Sequence, residues 1–522
     1  MTGVVGPARR RRPLVVATAV TAALGLGGLA AVVIAGRPGP SPVLAIVAAA
    51  NGGLPVISVD EGAGRAYVAI RLGSGPGGAA AVRVLDVATG ALVGTAPLPA
   101  PGSIGSGGAV VAVAVDARRG RAYAVSAGSS SCTSSGGGPQ TCVTTGAAIL
   151  VLDARVGRTL GTLAVDAGGA LAVDQRTGLL YTLPIVAPGA PSGGGTTLVR
   201  AIDPGTGRTV RTIALPGGGQ GFGQGTLAID GRGTRLIVAR TLFGPSRVPS
   251  SVDVVDLTRE RLLRHTPLPG VGGAGGGFST AALIDEARGR AVLRTGTGMA
   301  VLDLRSGALL RVTPLGAGVG ALGEDARTGR EALVAQRERN EIVGALGEDA
   351  RTGRVFTTTL GAWRTVTTRT PTGASTTSVP AGVGSLQVLD AHSGALRRSL
   401  PIDLATTGLA VDERRGRVYV LSIGAADARN GLTRPGTLSV VDERSGQVVR
   451  TLAIGAVPFT LALDRRADRI FVGCIGAFGG TPDDPWGWVP APVRRLLPFL
   501  PRPPAPIRTP QGSLMILDPA RL

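Results

Sequence analysis

A turn motif built on aspartate recurs along this chain as a pair, and the pairing restricts the fold more than any other feature. The first half reads V-D-x-x-x-G-R-x-Y-V, as in "VDEGAGRAYV" from Val59, "VDARRGRAYAV" from Val115 and "VDERRGRVYVL" from Val411. The second reads V-L-D-x-x-T/S-G, as in "VLDVATG" from Val84, "VLDLRSG" from Val301 and "VLDAHSG" from Val388. Self-similarity at a period of tens of residues is the mark of a repeat architecture, in which each unit buries its apolar faces on its neighbours.

The first motif has its aspartate at Asp60, Asp116, Asp174, Asp230, Asp285, Asp325, Asp349, Asp412 and Asp464. Glycine follows four residues later at positions such as Gly64, Gly120, Gly178 and Gly416; Thr234 and Asp468 are the exceptions. Arginine follows at the fifth position everywhere except Leu179. This is hairpin chemistry: the carboxylate caps backbone N–H groups at the start of the turn, and glycine supplies the positive φ that returns the chain. In the strand that follows, alternate residues such as Ala66, Val68 and Ile70 would share one face. The second motif places Asp86, Asp153, Asp203, Asp256, Asp303, Asp390, Asp442 and Asp518 in the same role, with Glu260 replacing one glycine.

Each unit therefore reads strand, Asp-Gly turn, strand, variable loop, strand, Asp-Gly turn, strand. Pairing the motifs gives eight such units, with Asp325 left over. Residues 319–330, "VGALGEDARTGR", recur unchanged at 343–354, which points to a local duplication or an error in sequence assembly. Four antiparallel strands repeated about eight times describe an all-β propeller over residues 42–522. The last unit lacks its fourth strand, because the chain ends at Leu522. The unassigned run Val43–Ala48 is the expected replacement, pairing the two ends of the chain and removing an exposed edge.

These motifs resemble the YVTN-type β-propeller repeat proteins of bacteria and archaea, over roughly residues 54–522. The resemblance implies the propeller fold; because that repeat serves many roles, it implies no particular activity. Family members commonly have seven blades, so seven stands as the alternative to the eight units found here.

Residues 1–36 form a separate element. Arg9–Arg12 precede an apolar stretch from Pro13 to Gly36, the pattern of a signal sequence or an uncleaved membrane anchor, and residues 37–41 link it to the repeats. The positive-inside rule puts everything after Gly36 on the extracytoplasmic side of the cell membrane, or in the medium if cleavage follows Ala35. Cys132 and Cys142 bracket a Ser/Gly-rich loop and are expected to form a disulfide in such an oxidising compartment. Cys474, in "IFVGC", reads as a buried small hydrophobe.

The net charge of +20 is carried entirely by arginine, since the chain has no lysine. Those arginines are spread through every repeat, which makes nucleic acid an unfavoured partner and leaves weak polyanion binding as a minor alternative. His265 and His392 have no companion at metal-ligand spacing and are expected at the surface. Half of the 34 carboxylates are the motif aspartates. A lactonase-like or other hydrolase built on residues such as Asp427, Asp483 or Asp484 is the enzymatic alternative. The Gly-rich runs at 216–225 and 270–278 lack the Lys-Ser/Thr of a phosphate loop and read as connectors.

The turn logic also sorts the loops. Both Asp-Gly turns of a blade lie at one end of its strands, so the long insertions at 126–147, 184–197, 240–251, 267–280, 360–384, 424–436 and 473–512 fall on the opposite face. Function concentrates on loops that vary over a fixed scaffold. One insertion, at about 476–512, stands apart: Trp486, Trp488, Leu496, Leu497 and Phe499 lie beside Arg494 and Arg495. That mixture suits a membrane interface or a partner groove, or a loop folded back on its own propeller. The resulting expectation is a monomeric, membrane-tethered binding or scaffolding module without a cofactor, recognising a protein or envelope ligand through the insertion-rich face.

Overall fold

The computed structural model describes residues 43–48, 57–72, 79–98, 110–126, 129–133, 141–165, 169–184, 195–218, 222–243, 250–268, 282–285, 288–295, 298–314, 343–349, 351–359, 363–370, 373–380, 382–427, 431–454, 458–474 and 513–522. Residues 42–522 form one compact unit. Residues 1–36, expected as a signal sequence or anchor, and the tryptophan-bearing insertion lie outside the described residues. Among those described, no helix is long and apolar enough to cross a membrane.

A first strand, β1 (Val43–Ala48), precedes the repeats. Blade 1 comprises β2 (Ile57–Asp60), β3 (Arg65–Leu72), β4 (Ala79–Asp86) and β5 (Leu92–Pro97). Blade 2 comprises β6 (Val110–Asp116), β7 (Arg121–Ser126), β10 (Ala148–Asp153) and β11 (Thr159–Ala164), with an inserted hairpin β8 (Ser129–Thr133) and β9 (Thr141–Thr145). Blade 3 is β12 (Gly169–Val173), β13 (Leu180–Pro184), β14 (Gly195–Ile202) and β15 (Thr209–Gly218). Blade 4 is β16 (Phe222–Ile229), β17 (Arg235–Phe243), β18 (Ser250–Asp256) and β19 (Arg261–Leu268). Blade 5 is β20 (Ala282–Asp285), β21 (Arg290–Thr295), β22 (Gly298–Asp303) and β23 (Leu309–Pro314). Blade 6 is β24 (Val343–Asp349), β25 (Arg354–Thr359), β28 (Val383–Asp390) and β29 (Leu396–Leu404), with the hairpin β26 (Trp363–Thr370) and β27 (Gly373–Pro380). Blade 7 is β30 (Thr406–Asp412), β31 (Arg417–Ser422), β34 (Gly436–Asp442) and β35 (Val448–Ile454), with the hairpin β32 (Ala425–Asp427) and β33 (Gly431–Arg434). Blade 8 joins β36 (Pro458–Asp464), β37 (Arg469–Cys474) and β38 (Ser513–Leu517) to β1.

Eight four-stranded antiparallel sheets result, one for each motif pair. The second copy of the duplicated segment supplies β24; the first copy and Asp325 lie outside the described residues. Their first strands touch in sequence, β2 to β6, then β12, β16, β20, β24, β30, β36 and back to β2, so the ring is closed. The seam is the expected one: Val43, Ala45, Ile46, Val47 and Ala48 face Leu517, Ile516, Met515, Leu514 and Ser513.

Every blade has a neighbour on both sides, so Ala66, Val68 and Ile70 share one face as expected and the opposite face of the strand is buried as well. Ala66, Tyr67, Val68, Ala69 and Ile70 are all buried, because odd and even residues pack on different neighbours. Tyr67, Val82 and Val84 of blade 1 meet Ala122, Leu150 and Leu152 of blade 2. Ala66, Val68 and Ile70 meet Phe471, Leu514 and Ile516 of blade 8. One such apolar cluster spans each pair of adjacent blades around the ring. The motif tyrosines Tyr67, Tyr123, Tyr181 and Tyr419 are buried in these seams, and burial pushes the Tyr419 phenol up to about 12. Tyr67 donates its hydroxyl proton to Ala154 O of the next blade at 2.7 Å.

At the turns the carboxylates point inward. Asp60 Oδ1 accepts the Ala63 N–H at 3.0 Å and Asp116 Oδ1 accepts that of Arg119 at 3.1 Å. Asp174 takes Arg176 N–H and Asp412 takes those of Arg414 and Arg415. Gly64, Gly120, Gly178 and Gly416 have φ of 63°, 61°, 81° and 61°. In the other turn, backbone N–H groups of Thr89, Arg155 and Gly205 hold Asp86, Asp153 and Asp203 below the usual carboxylate range.

The sequence exceptions have local explanations. Gly233, at φ 64°, performs the left-handed step one residue ahead of Thr234. Asp468 accepts φ 59° and pairs both carboxylate oxygens with Arg415. Glu260 is left-handed at φ 57°, with only an exposed pair to Arg211 in return. A non-glycine residue loses about 1–2 kcal/mol there, glycine returns about 0.5–1 kcal/mol in chain entropy, and the ion pair is weak. Glu260→Gly should therefore stabilise the protein by up to about 1 kcal/mol, read from the shift of its denaturant midpoint.

Arginines clamp blade to blade. Arg65 donates to Arg155 O, Arg290 to His392 O, Arg354 to Glu443 O, Arg398 to Ser445 O and Arg466 to Gly62 O, the last across the seam. Much of the arginine content of the turns thus satisfies carbonyl ends between repeats.

Candidate functional site

In blades 1 to 7 both motif turns lie at the same end of the strands, as the registers Asp60↔Arg65 and Arg65↔Asp86 show for blade 1. The inserted hairpins β8–β9, β26–β27 and β32–β33 each connect the second and third strands of a blade and stand on the opposite face. The insertion expected as a loop at 360–384 instead contains regular pairing, with Thr367↔Thr376 and Trp363↔Pro380 joining β26 to β27. Its Thr-rich composition carries the β-propensity that was passed over. Strand β27 touches β32, so the insertions of blades 6 and 7 meet above the boundary between those blades.

Beneath that meeting point, the strands turn polar. Thr357, Thr358, Thr359, Thr406 and Ser422 are almost completely buried at the insertion end of blades 6 and 7. Thr359 Oγ1 and Ser385 Oγ lie 2.9 Å apart, and Gln387 Nε2 donates to Ser385 Oγ and Ser399 Oγ. Thr437 of blade 7 donates to Asp403 Oδ2 of blade 6 at 2.8 Å, and Thr406 Oγ1 donates to Thr359 O. Ser422 Oγ is buried without a hydrogen-bond partner among the described residues, while the bonded hydroxyls of Thr359, Ser385, Thr406 and Thr437 fix the geometry of what stands on them. The root of the β26–β27 insertion is equally constrained: a Cβ on Gly384 would come 2.3 Å from Thr359 O.

A second polar centre lies between blades 3 and 4. Arg240 donates to Thr197 Oγ1 at 3.0 Å, Pro216 O at 2.6 Å and Asp253 Oδ2 at 2.7 Å. Asp253 is fully buried, and its Oδ1 lies 2.6 Å from His265 Nδ1. His265 was expected simply at the surface; it is partly buried on β19 and bonded to a buried carboxylate, because register places it opposite Asp253. The signal was an acid and an arginine inside the otherwise apolar runs "SSVDVVD" and "IVARTL", which motif counting overlooked. His392 lies exposed in its turn.

The other candidates divide plainly. Cys132 and Cys142 face each other in register on β8–β9, and oxidation to a disulfide should contribute about 2–3 kcal/mol. Non-reducing mass spectrometry of protein produced in an oxidising compartment should find them linked; free thiols at both positions would refute this. Cys474 is buried in the seam between blades 7 and 8. Trp486, Trp488, Arg494, Arg495, Leu496, Leu497 and Phe499 lie outside the described residues, as do Asp483 and Asp484. Their segment leaves and re-enters blade 8 at the paired residues Cys474 and Ser513, so its two ends are on the insertion face. Among the described residues, no three His, Cys, Asp or Glu side chains are grouped to hold a metal ion.

No protein-family model matches the chain, and no curated protein is detectably similar in sequence. Solved structures do match. A europium-containing methanol dehydrogenase aligns at a TM-score of 0.52 and 14% identity over 91% of this chain and 93% of that one. The Dos1 propeller aligns at 0.53 and 9% identity over 91% and 94%. At such identities the likeness is one of fold, and the fold is an eight-bladed β-propeller of four-stranded sheets.

Proposed function

We propose that this propeller, of the YVTN repeat type, is an exported, membrane-tethered module that binds a protein or envelope ligand through its insertion face. The observation that carries the reading is the meeting of β26–β27 with β32–β33 above a buried hydroxyl network, a shaped feature on a regular scaffold. The eight innermost strands offer the channel less. They consist largely of Val, Ala, Leu and Gly, with carboxylates confined to the motif aspartates and Glu348. Recognition therefore belongs to the face, and the proposal includes no cofactor.

A photo-crosslinking amino acid placed in the native envelope at Thr367 or Leu432, on the insertion hairpins, should give discrete protein adducts. The same probe at Ser306 or Ser445, in the opposite turns, should give clearly fewer. Adducts of equal yield from both faces, or from the turns alone, would sink the reading.

A further inference from the structure

We propose that the turn face of the ring is a docking surface for an anionic lipid bilayer, a role separate from recognition by the insertion face. In the turns, charge is sorted by depth. Asp116, Asp174 and Asp464 are almost completely buried against their own N–H groups, while Arg118, Arg155, Arg208, Arg305 and Arg444 stand exposed in blades 2, 2, 3, 5 and 7. These are not the clamping side chains: Arg65, Arg290 and Arg354 reach across to neighbouring blades from the starts of their strands. The face consequently presents an excess of guanidinium groups, although Glu61 and Glu260 are also exposed and Asp86, Asp153 and Asp203 are half-buried there.

The second observation is apolar. Leu92, Leu160, Val210, Leu310 and Leu396 are 51%, 46%, 49%, 47% and 45% exposed. Each occupies the first or second residue of the outermost strand of its blade, immediately after the second Asp-Gly turn. Recurrence of half-exposed aliphatics at two adjacent repeat positions, along the rim of an arginine-bearing face, matches a headgroup layer with acyl chains behind it. A cavity of about 170 Å³ also opens on this rim between blades 6 and 7, lined by Arg397, Arg398 and Arg444 together with Asp442 and Glu443. Nucleic acid fits the face less well, since base stacking uses aromatic rings and the four tyrosines are buried between blades.

The test is arginine footprinting with phenylglyoxal on the full chain, reconstituted in phosphatidylglycerol-rich vesicles and in pure phosphatidylcholine vesicles. Modification of Arg118, Arg155, Arg208 and Arg305 should slow by about fivefold or more on the anionic vesicles, and part of this protection should survive high salt. In a Leu160→Ser, Val210→Ser, Leu310→Ser variant with an unchanged melting temperature, the salt-resistant part should disappear. Equal modification rates on the two vesicle types would overturn the proposal, as would salt-resistant protection unaffected by the serines. Equal protection by duplex DNA added to the neutral vesicles would overturn the lipid assignment. None of these readouts needs a partner on the insertion face, so this proposal and the functional reading fail separately.

Discussion

A chain beginning at Asn51 should be less stable than one beginning at Pro42 by about 5 kcal/mol, at about 1 kcal/mol net for each of the paired positions of β1 with β38. The shorter chain keeps every motif and loses only the strand that closes blade 8. Without it, β38 becomes an open edge and the buried residues Leu514, Met515, Ile516 and Leu517 lose cover on one side. Denaturant unfolding of the two chains should show the difference, with concentration-dependent self-association in the shorter one. Equal midpoints would mean that the ring is held by other contacts.

Asp253→Ala should cost about 3–5 kcal/mol, because it leaves the Arg240 guanidinium buried without its carboxylate. The companion change is informative in the opposite sense. Replacing Arg240 and Asp253 together with Met and Leu should cost much less than the two single losses combined, since the desolvation of both charges is removed with their attraction. A double-mutant cycle measured by denaturant unfolding gives the coupling directly. Near-additive losses would show that the pair does not act as a unit.

The architecture was legible because the motif aspartates and glycines place two hairpin turns in every unit, and those turns determine strand order. The seam was legible for a related reason: a unit lacking its fourth strand and an unassigned apolar run at Val43–Ala48 leave one solution. Two things were hidden. The polar centres were hidden because Asp253 with Arg240, and Asp403 with Thr437, are joined across strands or blades rather than by sequence spacing. Hairpins such as β26–β27 resembled loops because turn chemistry and threonine-rich strands alternate there without apolar punctuation.

Eight units are closed into one ring by the strand that precedes the first motif. Ala48 and Ser513 are partners in that seam, and Cys474 also faces Ser513, so the measurement is made with Ala48→Cys and Ser513→Cys in a Cys474→Ala background. Mild oxidation of the folded protein should link the peptides carrying residues 48 and 513 in most molecules, as found by mass spectrometry after non-reducing digestion. Free thiols at both positions in folded, oxidised protein would contradict the closure and the eight-bladed ring built on it.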